Sequence, residues 1–254
     1  NELVEIIGNS DYIVSGLNPS TEPDLLDNSH RNFVGRPMGL LWGLNYQGVY
    51  STEEAAEAAT YNRSPGDAKF EDKNNDGVIN NEDMMVIGNP NPDFVWGFTT
   101  NVNYKNWTLN LVWNGVHGVD VLNSVKYLTY GGARDATNRD VLNRWTPENQ
   151  NSNIPGYTTT SVLVRQSDQW IEDGSYVKLR NVTLNYEVPL KALSIERGIS
   201  SLNAYVTVQN ALVFTKYSGY DPESLSNTAD RAGGFDQGGY PIPRTFIFGL
   251  AMGF

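Results

Sequence analysis

The sequence predicts an all-β fold, an antiparallel β-barrel of the transmembrane kind with its long loops gathered at one rim. Large apolar residues recur at every second position over several long stretches, the periodicity of strands with one greasy face. Across Lys105-Asn106 the apolar set switches from even to odd numbers, as a two-residue hairpin loop requires. Connections between the stretches alternate long and short. Membrane barrels have that asymmetry, with short turns at one rim and long loops at the other, and soluble sandwiches follow no such rule.

Composition narrows the class further. The 254 residues include no cysteine, which removes disulfides, thiolate metal sites and a cysteine nucleophile together. A formal charge of -11 argues against a nucleic-acid partner, for which a basic face supplies most of the affinity. Hydrophobic residues make up 39% and are scattered rather than continuous, so a transmembrane helix is excluded. A transmembrane strand needs only about 9 to 11 residues, half of them apolar. Residues 1–4 carry neither a basic region nor an apolar run, so any leader of an exported protein is expected to lie outside this sequence.

In chain order, residues 2–7 form a short β-prone run, and a turn at residues 8–11 opens a polar loop reaching to about Asn32. Met38, Leu40, Trp42, Leu44 and Tyr46 alternate with smaller or polar residues and predict one long strand over 38–50. Ser51 and Glu54 have capping-box spacing and predict a short helix ending near Thr60. Phe94, Trp96, Phe98, Thr100, Val102 and Tyr104 then form one strand face, and Trp107, Leu109, Leu111 and Trp113 the next. Asn101, Asn103, Thr108, Asn110 and Asn114 line the opposite, polar face. Residues 117–173 read as a long irregular connection with short helices near 121–128 and 138–145. Strands follow over 176–188, with Val182, Leu184 and Tyr186 on one face, and over 202–212. After a second long loop at 213–242, Phe246, Phe248, Leu250, Met252 and Phe254 alternate with small groups to the end of the sequence. Period alone also permits a soluble, calcium-stabilised glycan-binding β-sandwich. That alternative would bury Phe94, Trp96, Phe98, Leu109 and Leu111 under a second sheet.

Several segments, in this order, resemble the carboxy-terminal part of SusC-like TonB-dependent outer-membrane transporters. They are Val34-Gly-Arg-Pro-Met-Gly39, Gly66-Asp-Ala-Lys-Phe-Glu-Asp72, Val86-Ile-Gly-Asn-Pro-Asn-Pro-Asp-Phe94 and Leu142-Asn-Arg-Trp-Thr146. The series continues through residues 170–186, from Trp170-Ile-Glu-Asp-Gly to Thr183-Leu-Asn-Tyr186, and closes on Tyr240-Pro-Ile-Pro-Arg-Thr-Phe-Ile-Phe-Gly-Leu250. The resemblance implies a barrel of about 22 strands, of which this chain would hold about seven. The plug and the TonB-contacting segment would lie upstream. It also implies import of a nutrient, most often an oligosaccharide, a SusD-like surface lipoprotein as partner, TonB as energy source, and no enzymatic chemistry. Residues 51–93, 117–173 and 213–242 would be extracellular loops, and Phe254 the signal read by the barrel assembly machinery.

On that reading Phe94, Trp96, Phe98, Trp107, Leu109, Leu111, Trp113, Phe246, Phe248, Leu250 and Met252 face lipid. Trp107, Trp113 and Tyr186 are expected at the lipid interfaces, and Lys178 and Arg180 to snorkel toward headgroups. Asp72, Asn74, Asp76, the Val78 carbonyl and Asp83 match the spacing of an EF-hand loop, with Gly77 at the sharp turn, and predict a structural Ca²⁺. A self-capped Asx-rich turn is the alternative there. Tyr127, Tyr130, Trp145, Tyr157, Trp170, Tyr217, Tyr220 and Tyr240 are the loop aromatics that could stack on sugars or pin the loops. His30 and His117 have no serine and carboxylate at a recognisable spacing, so no catalytic set is expected.

Overall fold

The computed structural model describes residues 2–5, 11–15, 29–130, 139–156, 166–193, 198–223 and 233–254. Its strands are β1 (Tyr12–Ser15), β2 (His30–Phe33), β3 (Leu40–Gly43), β4 (Tyr46–Val49), β5 (Ala68–Phe70), β6 (Met85–Gly88), β7 (Phe94–Tyr104), β8 (Trp107–His117), β9 (Asp120–Asn123), β10 (Ile171–Asp173), β11 (Tyr176–Glu187), β12 (Ser201–Thr215), β13 (Phe235–Asp236) and β14 (Thr245–Gly253). The helices are α1 (Ala55–Thr60), α2 (Ser124–Tyr130) and α3 (Leu190–Leu193). The chain divides into two compact units.

One unit is a single antiparallel sheet in the order β14-β12-β11-β8-β7, a meander in which sequence neighbours pair. Its strands have 11, 11, 12, 15 and 9 residues from β7 to β14, each long enough to cross a bilayer. Tyr104 pairs with Trp107 across the tight turn, where Lys105 takes a left-handed φ of 54°. The register repeats the apolar alternation from strand to strand. Phe246, Val208, Val182, Leu111 and Thr100 form one row, and Phe248, Val206, Leu184, Leu109 and Val102 the next. Two glycines in this sheet leave room for rings from the neighbouring strand. A Cβ at Gly115 would overlap the Trp96 ring, and one at Gly249 the Tyr205 ring.

The other unit gathers residues 1–91, 119–173 and 225–239. It contains a four-stranded sheet β1-β2-β3-β6, a three-stranded sheet β10-β9-β13 and the pair β4-β5. Leu41, Leu122, Tyr127, Trp170 and Phe235 form one core, so three sequence-distant segments share it. Leu44, Ala68, Phe70 and Ile79 form a second core. The stretch read from sequence as irregular, 117–173, therefore carries two strands, a helix and buried aromatic anchors. Its apolar residues are spaced for packing against chain far away in sequence, which no local period reveals.

Four further expectations change. The long strand at 38–50 is two short strands in different sheets, because Leu44 and Asn45 lie between β3 and β4 and Leu44 is fully buried in the second core. The barrel-type sheet accordingly has five of the seven strands expected. Residues 2–5 contribute only isolated bridges, Glu2 with Pro37 and Leu3 with Val34, and the turn at 8–11 lies mostly outside the described residues. At Ser51 the capping box is half formed. Glu54 accepts both the Ser51 backbone N–H and its hydroxyl, at 2.8 and 3.0 Å, and helix α1 begins only after Glu54. Those Ser51 bonds, with Lys69 beside the carboxylate, hold Glu54 at a pKa of about 2. The helix near 138–145 is a 3₁₀ turn at Arg139–Asn143.

Candidate functional site

The five-stranded sheet presents two chemically different faces. On one, Phe94, Phe98, Val102, Tyr104, Trp107, Leu184, Val206, Leu212, Phe214, Phe246, Phe248, Leu250 and Met252 are all exposed, with Phe248 and Leu250 at 74%. Trp96, Leu109, Leu111 and Trp113 are half-buried between their neighbours on that face. Among the described residues no second sheet covers it, so the burial that a sandwich demands is missing. Every position expected to face lipid falls on this one surface.

Aromatic rings concentrate toward both of its ends. Trp107 packs on Tyr186 with centroids 4.5 Å apart beside the tight turn, Phe94 and Trp96 lie toward the other end, and Trp113 stands between them opposite Phe98. A membrane strand places aromatics at the two interfaces for the same reason, since a ring there buries its body and keeps its polar tip wet.

The opposite face is a lattice of short polar side chains. Asn110 donates to Asn101 at 2.7 Å, Thr108 to Asn103 at 2.9 Å, and the hydroxyls of Thr183 and Thr207 are 2.9 Å apart. Asn185 donates to Asn203 at 3.3 Å. These uncharged groups satisfy one another across four strands and leave a wettable wall without a fixed charge.

Among the described residues this face carries Glu187 at the end with the tight turn, and a cluster of charges at the end from which the long connections leave. There Lys178, 4% exposed, donates to Asp221 at 2.7 Å and Glu223 at 2.8 Å. Arg180 bonds Glu223 and also donates to Asn114 at 2.9 Å. This overturns the expectation that Lys178 and Arg180 snorkel toward headgroups. A bulge at Arg180 shifts the register, so that Leu179 pairs with Trp113 while Asn181 pairs with Val112. One extra residue reverses the facing of everything beyond it, and Lys178 turns to the polar side opposite Asn114. The sequence carries a trace of this, since the apolar set switches from Val177 and Leu179 to Val182 and Leu184 across Arg180-Asn181, which the reading of 176–188 as one uninterrupted strand passed over.

The EF-hand-like loop is only partly wound as an ion-binding loop. Asp72 accepts the N–H groups of Asp76 and Gly77 at 3.2 and 2.9 Å, Asn74 accepts Asp76 N–H at 3.0 Å, and Gly77 sits at φ 82°. Asp76 accepts Val78 N–H at 2.8 Å. The last ligand position behaves differently. Asp83 is fully buried, and its two oxygens accept Lys73 N–H and Asn80 N–H at 3.0 and 2.8 Å. Asp83 thus caps its own loop, while Asp72, Asn74 and Asp76 are wound around the turn at Gly77.

The loop aromatics divide into pins and free rings. Tyr127, Trp145, Trp170 and Tyr217 are buried, and Tyr127 and Tyr130 both pack edge-on against Trp170, at 5.5 and 5.7 Å. Tyr220 and Tyr240 are exposed, and Tyr157 lies outside the described residues. His30 is buried, with Nδ1 2.8 Å from Ser29 Oγ and Nε2 3.2 Å from the Gly233 carbonyl. Burial lowers its pKa to about 4, against the opposing effect of the Gly233 bond. His117 packs against Phe94 at 5.3 Å. Phe254 follows β14 and is 90% exposed.

A curtain of long antiparallel strands, apolar and uncovered on one side and polar on the other, is the wall of a membrane-spanning β-barrel. No protein-family model matches the chain. It is 34% identical to TonB-dependent receptor P3 of Formosa agariphila over 228 residues, which are 87% of this chain and 22% of the relative. It is 25% identical to TonB-dependent receptor SusC of Bacteroides thetaiotaomicron, covering 100% of this chain and 23% of that one. The chain thus spans under a quarter of the length of these relatives. Its fold matches a chain of the RagAB peptide transporter with a TM-score of 0.75 at 18% identity, over 98% of this chain and 25% of that one. The chain belongs to the SusC-like TonB-dependent receptors and forms part of their barrel.

Proposed function

We propose that this chain supplies part of the barrel wall and outer loops of a transporter that imports an oligosaccharide across the outer membrane of a Gram-negative bacterium. The observation that carries this reading is the two-faced sheet, lipid-compatible on one side and wettable on the other. Import would draw on TonB through upstream parts of the polypeptide, where a plug and the remaining strands would lie. Pairing with a SusD-like surface lipoprotein is supported by the similarity to SusC and to RagAB.

Residues 51–93, 117–173 and 213–242 would then be extracellular. The sheet's tight turn at Lys105-Asn106 and the shorter connection from β11 to β12 would lie at the periplasmic rim, with Phe254 beside them in the assembly signal. The exposed rings of Tyr220 and Tyr240 support a sugar cargo, because a ring face offers a platform for the apolar face of a pyranose. Calcium bound by Asp72, Asn74, Asp76, the Val78 carbonyl and Asp83 would be structural. The ligand spacing and the winding around Asp72 support it, and binding would have to draw Asp83 toward the others.

Cells lacking the gene and cells complemented with it test the reading through uptake of labelled oligosaccharides and peptides. Complementation should restore oligosaccharide uptake only where TonB is active. Uptake restored without TonB, or of peptides alone, overturns it.

A further inference from the structure

Arg31 lies on β2 with its guanidinium between two aromatic rings. Its central carbon is 4.1 Å from the Tyr12 ring centroid and 4.6 Å from that of Trp42. Tyr12 belongs to β1 and Trp42 to β3, the strands on either side, so backbone pairing across three strands holds the clamp. Phe33 packs on both rings, with centroid distances of 5.9 and 5.5 Å. A guanidinium stacked in this way keeps one orientation, which reduces what it loses on gripping a ligand.

The charge balance makes this arginine unusual. Acidic residues outnumber Lys and Arg by 29 to 18, yet none of the ion pairs among the described residues involves Arg31. Its Nε is buried without a hydrogen-bond partner, and so is Nε1 of Trp42 beneath it. A structural arginine in an acidic chain normally takes a carboxylate. Here the inner edge is sealed by rings, the side chain is half-buried, and only the terminal nitrogens can reach an acceptor from outside. Two parallel N–H groups in that position match the two oxygens of a carboxylate or a sulfate.

We propose that Arg31 is an anion subsite that grips a carboxylate or sulfate ester carried by the oligosaccharide cargo, an inference that rests on the oligosaccharide reading above. The full-length receptor in detergent is titrated with glucuronate, galactose 6-sulfate and glucose while tryptophan fluorescence is followed, with Trp42→Phe identifying the reporting ring. At least one charged sugar should give a saturable change that weakens with added salt, while glucose gives none. The response to glucuronate against that to the sulfate ester tells which anion is taken. Arg31→Gln should lower the affinity at least about tenfold, the scale of a lost charge-assisted bond.

Three outcomes overturn the proposal: glucose acting like the charged sugars, unchanged affinity in Arg31→Gln, or no saturable response in the native receptor. The titration is independent of transport. Uptake of peptides without oligosaccharides would remove the cargo reading while the fluorescence result still stood.

Discussion

Replacing Phe98 and Thr99 one at a time by arginine tests the facing of the barrel wall most directly. The two are adjacent near the middle of the 11-residue β7 and point to opposite sides. Phe98 is 59% exposed on the apolar face beside Trp113, while Thr99 pairs with Val112 on the polar face. An arginine on the lipid face near the bilayer midplane costs about 2–4 kcal/mol, and one on the lumen side costs little. At about 1.4 kcal/mol per factor of ten, Phe98→Arg should shift the folding equilibrium from about 30-fold to several hundred-fold toward the unfolded state. Thr99→Arg should stay within about 0.5 kcal/mol of the native protein. Urea titration of the full-length receptor in phospholipid vesicles, read by the electrophoretic shift of folded barrels, measures both. Equal losses, or a larger loss for Thr99→Arg, would refute the assignment of faces.

Other consequences follow from the sites described. Lys178→Met leaves Asp221 buried without its cation and should destabilise the sheet by about 3 kcal/mol, and Lys178→Met with Asp221→Leu should recover part of that in the same titration. His30 is held neutral with a pKa of about 4, against an ordinary 6.5, so the unfolded chain binds the proton first as pH falls. The associated stability, on the order of 3 kcal/mol, is full above about pH 6.5 and is lost toward pH 4. Protease resistance of the receptor's loops should therefore drop between pH 7 and 5, and less so in His30→Gln; equal acid sensitivity in the two would sink this. Millimolar Ca²⁺ should protect the bond region 72–83 from proteolysis, and Asp72→Ala should abolish that protection; cleavage indifferent to Ca²⁺ would leave the loop as a self-capped turn.

The membrane wall was legible in the sequence because each strand is set by local alternation. Phe94 to Tyr104 and Phe246 to Met252 carry their facing in their own spacing, and the switch across Lys105-Asn106 sets the first register. A period of two survives any context in which one face meets lipid and the other meets water. The charged cluster was not legible, since the partners of Lys178, Asp221 and Glu223, stand 43 and 45 residues further along the chain, beyond the reach of any local period. Nor was the clamp around Arg31, whose rings come from strands too short to show a period, Tyr12–Ser15 and Leu40–Gly43.

Local chemistry thus determined the fold class, the residues that share the sheet's apolar face, the tight turn and the spacing of the candidate calcium loop. Tertiary structure decided what the long connections become. Leu41, Leu122, Trp170 and Phe235 are scattered over the chain and meet in one core. Such a core forms through burial of apolar surface that is blind to sequence distance, whereas strand alternation is a property of neighbours.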